Sequence, residues 1–376
     1  MTHNFDVHVC LVSGQAAPNL LPVLDARFAP KRIFMLVTPE MEENANGLSA
    51  VFKKHGIKAD FLSIADPYDF DSIQGNLLDF LDKPENEKTA LNVTGGTKIM
   101  ALAAHSAFSI ADRPIFYVRE DNNSVIIMHN CGGSEKYPPI DLKSNLKLKD
   151  YFRAYGYSAD PKESIHKPGF AKELVDNQVQ YRDALGLLNK HVCTDDNRQT
   201  LSFSAQNTTP MCIILELCKK YDFLDFNDRR IDFNDAACRK YVCGGWLEAH
   251  TRAVVNSISR SKLQTLADQG IEIIKKNVPN DLDVAFLAKN ALHVIECKTG
   301  RLTRERGGDT LYKLKTITQT MGLKTKPMLV TYRNLDSEDT KKRKPHTRRA
   351  RQYGIEVVEG DELRRLKEHL EKWIAQ

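Results

Sequence analysis

Asp283, Glu296 and Lys298 are the residues whose types and spacing best suit chemistry. Asn280-Asp281-Leu282-Asp283 leads into the apolar run Val284-Ala285-Phe286-Leu287. A short Ala288-Lys289-Asn290-Ala291 segment follows, and then Leu292-His293-Val294-Ile295-Glu296-Cys297-Lys298. Two apolar runs around a short turn predict a β-hairpin. On its second strand Glu296 and Lys298 are two apart and share a face, with Ile295 and Cys297 on the other. Asp283, read as the start of the first strand, then lies near Glu296 at the open end. Two converging carboxylates make a hard, oxygen-rich site suited to Mg²⁺ or Mn²⁺. Lys298 beside them can orient an attacking water or stabilise charge growing on phosphorus. Asp281 competes for the Asp role, and Asp283 is preferred because it leads directly into the apolar strand. Glu248, in Gly244-Gly245-Trp246-Leu247-Glu248-Ala249-His250 on the helix entering this region, is a fourth candidate. Singly these features are commonplace, since Glu-x-Lys is usually an exposed charge pair and an Asp beside a turn is usually a turn residue. Their occurrence in this order between residues 248 and 298 is what points to phosphodiester chemistry.

A second constellation lies near the N-terminus. The apolar run Thr89–Val93 ends in Thr94-Gly95-Gly96-Thr97-Lys98 before a small-residue helix at 99–110. Glycines let backbone amides approach a ligand, a helix N-terminus carries partial positive charge, and Lys98 adds a full one, so the turn suits an anion. It is neither a Walker A loop nor Gly-x-Gly-x-x-Gly. Ser13-Gly14-Gln15, with Asn19 close behind, follows another apolar run at 6–12. If both strands are central, the two turns flank one crevice, and the polar groups of one face the glycine amides of the other.

These residues need elements to hold them. Apolar runs at 6–12, 32–37, 58–62 and 89–93 alternate with helical patterns, and 115–118 with 124–128 read as a terminal strand pair. That alternation predicts βαβ units and an open parallel sheet over 1–145. Residues 150–240 are mainly helical, at 170–191 and 210–220, with a hairpin expected at 223–233, which suggests a connector or a winged helix. From 241 to 376 the order is helix, strands near 271–275, 283–287 and 292–297, helix 309–321, strands 327–332 and 355–358, and helix 361–374. This is a second, mixed α/β domain.

Composition is that of a globular protein, 41% hydrophobic and 27% charged in 376 residues. No apolar run nears the ~18 residues that cross a bilayer, and the N-terminus does not read as a secretory signal, so no membrane is expected and the cytoplasm is. The eight cysteines, at 10, 131, 193, 212, 218, 238, 243 and 297, form no Cys-x-x-Cys pair and read as buried free thiols. Residues 1–150 carry 15 Lys and Arg against 19 Asp and Glu, and the remainder 39 against 30. The basic excess peaks in Lys341-Lys342-Arg343-Lys344-Pro345-His346-Thr347-Arg348-Arg349-Ala350-Arg351, which suits a phosphate backbone.

The C-terminal arrangement resembles the PD-(D/E)xK restriction-endonuclease-like superfamily. Asp283, Glu296 and Lys298 match its catalytic core and Glu248 its helix Glu. The literal Pro-Asp dipeptide is absent, Pro279 being followed by Asn280. The N-terminal half, through Ser13-Gly14-Gln15 and Asn92-Val93-Thr94-Gly95-Gly96-Thr97-Lys98-Ile99-Met100, resembles the Rossmann-like CARF sensor of CRISPR systems. Together the halves resemble the CARF–nuclease fusions of type III CRISPR defence over nearly the whole chain. The resemblance implies a cyclic oligoadenylate, most often the tetramer, bound on the two-fold axis of a homodimer and activating nonspecific cleavage of DNA or RNA. It implies that Ser13, Gly14, Thr94, Gly95, Gly96, Thr97 and Lys98 line the ligand pocket. Two other readings stand beside it. One is a ligand-responsive DNA-binding regulator with an inert nuclease-like domain. The other is an N-terminal domain that degrades its own ligand, for which residues 1–145 show no dedicated base. His293 reads as an ordinary strand residue and Trp246 as core. Tyr312, Lys313 and Lys315 lie near enough to the catalytic strand to touch substrate.

Overall fold

The computed structural model describes residues 5–86, 88–130, 138–144, 146–162, 165–192, 200–202, 209–227, 230–302, 304–336 and 345–376. Lys341–Lys344 of the basic run, Cys131, Cys193 and most of the polar stretch 193–209 lie outside them. The chain forms two compact units. One holds residues 1–159 with 274–278 and 320–323, and the other holds 160–273, 279–319 and 324–376.

In the first unit the predicted alternation is realised. β1 (Val7–Leu11), α1 (Ala17–Val23), β2 (Arg32–Val37), α2 (Glu42–Lys54), β3 (Lys58–Ser63), α3 (Phe70–Leu81), β4 (Thr89–Asn92), α4 (Lys98–Ile110), β5 (Ile115–Arg119) and β6 (Ser124–His129) follow one another. The short β7 (Ile140–Asp141) and α5 (Leu148–Ala154) complete it. The sheet order is β3-β2-β1-β4-β5-β6-β7, parallel from β3 to β5 and antiparallel at β6 and β7. From β1 the chain goes one way to β2 and β3 and returns to the other side at β4, so β1 and β4 flank the topological switch point. Val9, Leu11, Leu36, Leu91, Ala103, Ala107 and Ile115 sit in one core, the continuous apolar strands expected of a parallel sheet covered on both faces.

The second unit carries the six-stranded sheet β16-β15-β14-β13-β12-β8. Its strands are β8 (Ser158–Pro161), where the chain crosses from the first unit, β12 (Asp268–Lys275), β13 (Val278–Ala288), β14 (Ala291–Lys298), β15 (Lys326–Thr331) and β16 (Glu356–Glu359). Its helices are α10 (Trp246–Asn256), α11 (Arg304–Gln319), α12 (Pro345–Gln352) and α13 (Leu366–Ala375). Between them run α6 (Pro168–Asp176), α7 (Gln178–Val192), α8 (Thr209–Lys220) and α9 (Ala236–Lys240), with the small sheet β10 (Leu224–Asn227), β11 (Arg230–Phe233) and β9 (Thr200–Ser202). The helical pattern at 170–191 is two helices, broken at Asn177. Phe170, Leu185, Ile214, Trp246, Phe286, Ile295 and Trp373 belong to one buried cluster, so residues 160–240 share a core with the strands that follow. Trp246 is fully buried and meets Tyr332 edge to face.

Two expectations need correction. β13 begins five residues earlier than expected, at Val278, so Asp283 lies within the strand rather than at its start. The polar Asn280-Asp281 interrupts the apolar pattern that marks a strand, yet both lie within β13. Cys10, Cys212, Cys218, Cys238 and Cys297 are free, but Cys243 is disulfide-bonded. Nothing in the spacing of the eight cysteines marks Cys243 for pairing.

Candidate functional site

The hairpin that carries the carboxylates is a two-residue one. Lys289 and Asn290 both take positive φ, 50° and 58°, the type I′ geometry that matches strand twist, with Asn tolerating the left-handed region. The register pairs Val284 with Ile295 and Phe286 with His293, which sets Asp283 opposite Glu296 on the other face. Lys298 Nζ lies 2.5 Å from Glu296 Oε1 and 3.9 Å from Asp283 Oδ2. Asp283 Oδ2 also accepts the Cys297 backbone N–H at 2.7 Å. The hairpin therefore brings all three predicted residues together, and Asp281 instead pairs with Lys162 at 2.8 Å.

The electrostatics are those of a charge cluster withdrawn from water. Burial, and then the Glu296 carboxylate, push the Asp283 carboxyl well above the ordinary range, against Lys298 and the Cys297 amide. Burial disfavours the Lys298 ammonium, but Glu296 and Asp283 outweigh it and hold the lysine charged. Glu248, in the first turn of α10, is likewise pushed up, by burial first. Lys240, a hydrogen bond from Gln269 and Lys298 oppose that push, and Glu296 adds to it. Glu248 thus belongs to the same field. Lys240 and Gln269 were not singled out from sequence, because neither sits in a motif. Two repelling carboxylates beside a third acid fit a hard divalent cation. Among the described residues no three His, Cys, Asp or Glu side chains converge closely enough to enclose one by themselves.

His293 is the ordinary strand residue expected. His293 is buried, stacked on Phe286 at 4.9 Å and edge-on to Trp373 at 4.7 Å, on the face opposite Glu296. Tyr312 and Lys313 are exposed on α11. Of the basic run, Arg348, Arg349 and Arg351 are exposed on α12, whose first turn is capped by Asp336 through the His346 and Thr347 amides.

In the first unit the two turns meet at the carboxyl ends of β1 and β4. A Cβ on Gly95 would stand 2.2 Å from the Leu11 carbonyl oxygen and 3.5 Å from Ser13 Oγ, so only glycine allows this approach. Gly96 has φ 74°. Thr97 caps α4, its Oγ1 accepting the Met100 amide at 3.1 Å. Thr94 Oγ1 donates to Asn92 Oδ1 at 2.7 Å and accepts the Val118 amide at 2.8 Å. Asn19 is buried rather than open to the crevice. Its Nδ2 donates to the Leu11 carbonyl, and Asn92 Nδ2 donates to its Oδ1. Asn19 and Asn92 therefore tie the two strand ends together. Gln15 Oε1 accepts the Leu323 amide at 2.9 Å, while Gly14 and Lys98 are exposed. No described helix is long and apolar enough to cross a membrane.

Comparison with known proteins gives each half of the chain a family match. Residues 7–151 match the family model of the Card1 CARF domain, and residues 235–376 that of the Card1-like endonuclease domain. No curated protein matches. Among solved structures, protein VC1899 from Vibrio cholerae superposes with a TM-score of 0.83 at 23% identity, covering 98% of each chain. Can2 from Sulfobacillus thermosulfidooxidans, solved in complex with cyclic tetra-adenylate, superposes at 0.78 with 28% identity, covering 99% of this chain and 98% of its own. A type III CRISPR defence DNA nuclease activated by cyclic oligoadenylate superposes at 0.58 with 17% identity, covering 87% of this chain and 45% of its own. A Card1 CARF domain joined to a Card1-like endonuclease domain on one chain makes this protein a CARF–nuclease fusion.

Proposed function

We propose that this nuclease is metal-dependent and is switched on by a cyclic oligoadenylate, with cyclic tetra-adenylate as the activator, and that it acts as a cytoplasmic homodimer in antiviral defence. The observation that carries the reading is the register that sets Asp283 opposite Glu296 with Lys298 bonded to Glu296. We assign the sensor to residues 1–145, a connector to 150–240 and the nuclease to 241–376.

Asp283 and Glu296 would hold Mn²⁺ or Mg²⁺, with Glu248 assisting. The metal would supply charge for the developing phosphorane oxygens and lower the pKa of a bound water. Lys298, held charged by two carboxylates, acts as a hydrogen-bond donor to water and phosphate rather than as a base. A water oxygen bonds to phosphorus while a P–O ester bond breaks. The water loses a proton and the departing alkoxide takes one up. Arg348, Arg349 and Arg351 hold the substrate backbone, DNA or RNA.

The switch-point crevice suits a phosphodiester ring. Ser13, Gly14, Gln15, Thr94, Gly95, Gly96, Thr97 and Lys98 stand at it, and Asn19 braces it from below. A cyclic tetranucleotide has two-fold symmetry, so an isologous dimer offers each half the same two turns. The Can2 structure bound to cyclic tetra-adenylate supports this choice of ring. The alternative, a DNA-binding regulator, finds less support in α8, because its terminal Lys219 and Lys220 are engaged by Asp225 and Glu173.

The test is cleavage of labelled single-stranded DNA, single-stranded RNA and plasmid, with Mn²⁺ or EDTA, each with and without cyclic tetra-adenylate. Cleavage that requires both metal and ring is expected. Cleavage without the ring removes the sensor reading, and binding to duplex with no cleavage under any condition favours the regulator.

A further inference from the structure

Glu248 is held by an apparatus that the catalytic motif does not include. Gln269, the second residue of β12, is 5% exposed. Its Nε2 lies 3.4 Å from the carbonyl oxygen of Gly245, the residue just before α10. Its side chain also hydrogen-bonds the Glu248 carboxylate in the sense that favours the charged form, so it donates there too. A glutamine amide has two N–H groups, and one such side chain can serve a backbone carbonyl and a carboxylate at once; Glu, Leu or Met cannot. Glu248, Gln269 and Lys240 line one small cavity of about 70 Å³, together with Lys162, Tyr241 and Gly245. The cavity gives the Glu248 side chain room to swing away from the hairpin. A buried carboxylate with no donor would both move and take up a proton.

We propose that Gln269 is a positioning residue of the nuclease site, anchoring the start of α10 and aiming the Glu248 carboxylate at the Asp283–Glu296 pair, with Lys240 balancing its charge across the cavity. This rests on the reading that Glu248 assists the metal. Residues that orient metal-site carboxylates typically cost about 10–100-fold in metal affinity or activity when removed.

The test uses the full-length protein and Gln269→Met, which keeps the volume and removes both donors, with Gln269→Glu as a second variant that sets a like charge against Glu248. Mn²⁺ binding is measured by electron paramagnetic resonance in the absence of substrate. The metal dependence of kcat and the substrate KM are measured separately. Gln269→Met is expected to weaken Mn²⁺ binding about 10-fold or more with KM unchanged, and Gln269→Glu to weaken it further. In a Glu248→Gln background the Gln269→Met change is expected to cost nothing more. Unaltered Mn²⁺ binding in Gln269→Met, or a full penalty that persists beside Glu248→Gln, overturns the proposal. If Glu248→Gln alone leaves Mn²⁺ binding and cleavage intact, the underlying role of Glu248 fails instead. If Gln269→Met does not fold, Gln269→Glu alone decides: Mn²⁺ binding equal to the parent's overturns the proposal.

Discussion

The crevice of the sensor and the carboxylate cluster of the nuclease solve opposite problems. At the crevice, Gly95, Gly96, Thr94, Thr97 and Asn92 are neutral, the bonds run between backbone and short side chains, and the single lysine, Lys98, is exposed. At the cluster, Asp283, Glu296, Lys298 and Glu248 are ionisable and largely withdrawn from water, and Glu296 acts on the other three. A site built on close backbone approach is broken by adding an atom. A site built on compensated charge is broken by removing one. The two regions should therefore fail in different ways under the same small changes.

The largest effect is expected from Glu296→Gln and Lys298→Met. Removing one preorganised electrostatic partner typically costs about 10²–10³-fold in kcat, and loss of Glu296 would weaken the proposed metal as well, so cleavage should fall at least that far. Binding of cyclic tetra-adenylate, followed by calorimetry, should be unchanged. A Glu296→Gln protein that keeps more than a tenth of parental activity would place the chemistry elsewhere.

The crevice answers to the opposite test. Gly95→Ala puts a methyl 2.2 Å from the Leu11 carbonyl oxygen, a backbone atom that cannot yield without moving β1. The expected cost is about 1–3 kcal/mol of stability, read by thermal melting, with a tenfold or greater loss of ring affinity. Gly14→Ala meets nothing within 4 Å and should change stability by less than about 0.5 kcal/mol. Equal melting shifts for the two would mean that the turns do not meet as described.

These contrasts also explain what could be read in advance. The β-hairpin was legible because two apolar runs flank the short Lys289-Asn290 turn, the turn fixes register, and register fixes which side chains face one another. The crevice was legible because strand ends followed by Gly-rich turns fall at a switch point in an open sheet. Asn92 and Asn19 were visible as residues, but their mutual bond was not, since 73 positions separate them. Gln269 carried no signal, because positioning through a side-chain amide needs no spacing rule. The short β7 and β9 and the polar start of β13 escaped for want of an apolar run, and the shared core of residues 160–240 with the nuclease strands depends on contacts that no local pattern reports.

A smaller effect concerns the cluster in the absence of divalent metal. Burial and Glu296 raise the Asp283 carboxyl above its ordinary 3.8, so the folded state favours the protonated acid. Stability from this group is present below the ordinary value and is lost as pH rises through the raised one. In EDTA the melting temperature should fall as pH rises from acid towards neutrality, and Mn²⁺ should remove most of that slope. Asp283→Asn should melt higher than the parent in EDTA at neutral pH while abolishing cleavage, the stability–activity trade-off of a strained site. A parent protein with no metal-sensitive slope would contradict the charge crowding inferred for the cluster.

The smallest effect is expected three positions from Glu296, on the other face of the same strand. His293 is buried, its Nε2 has no hydrogen-bond partner among the described residues, and burial lowers its pKa to about 3, so it is neutral throughout the working range. Its ring stacks on Phe286 and meets Trp373 edge-on. An aromatic ring of similar size does the same without an unsatisfied nitrogen, and replacing a buried polar atom that lacks a partner is close to neutral or stabilising. His293→Phe should therefore cleave within about twofold of the parent and melt no lower. A large loss of activity with intact folding would assign the histidine to the chemistry and would break the rule, set by β-strand alternation, that Glu296 and Lys298 work on one face while His293 packs on the other.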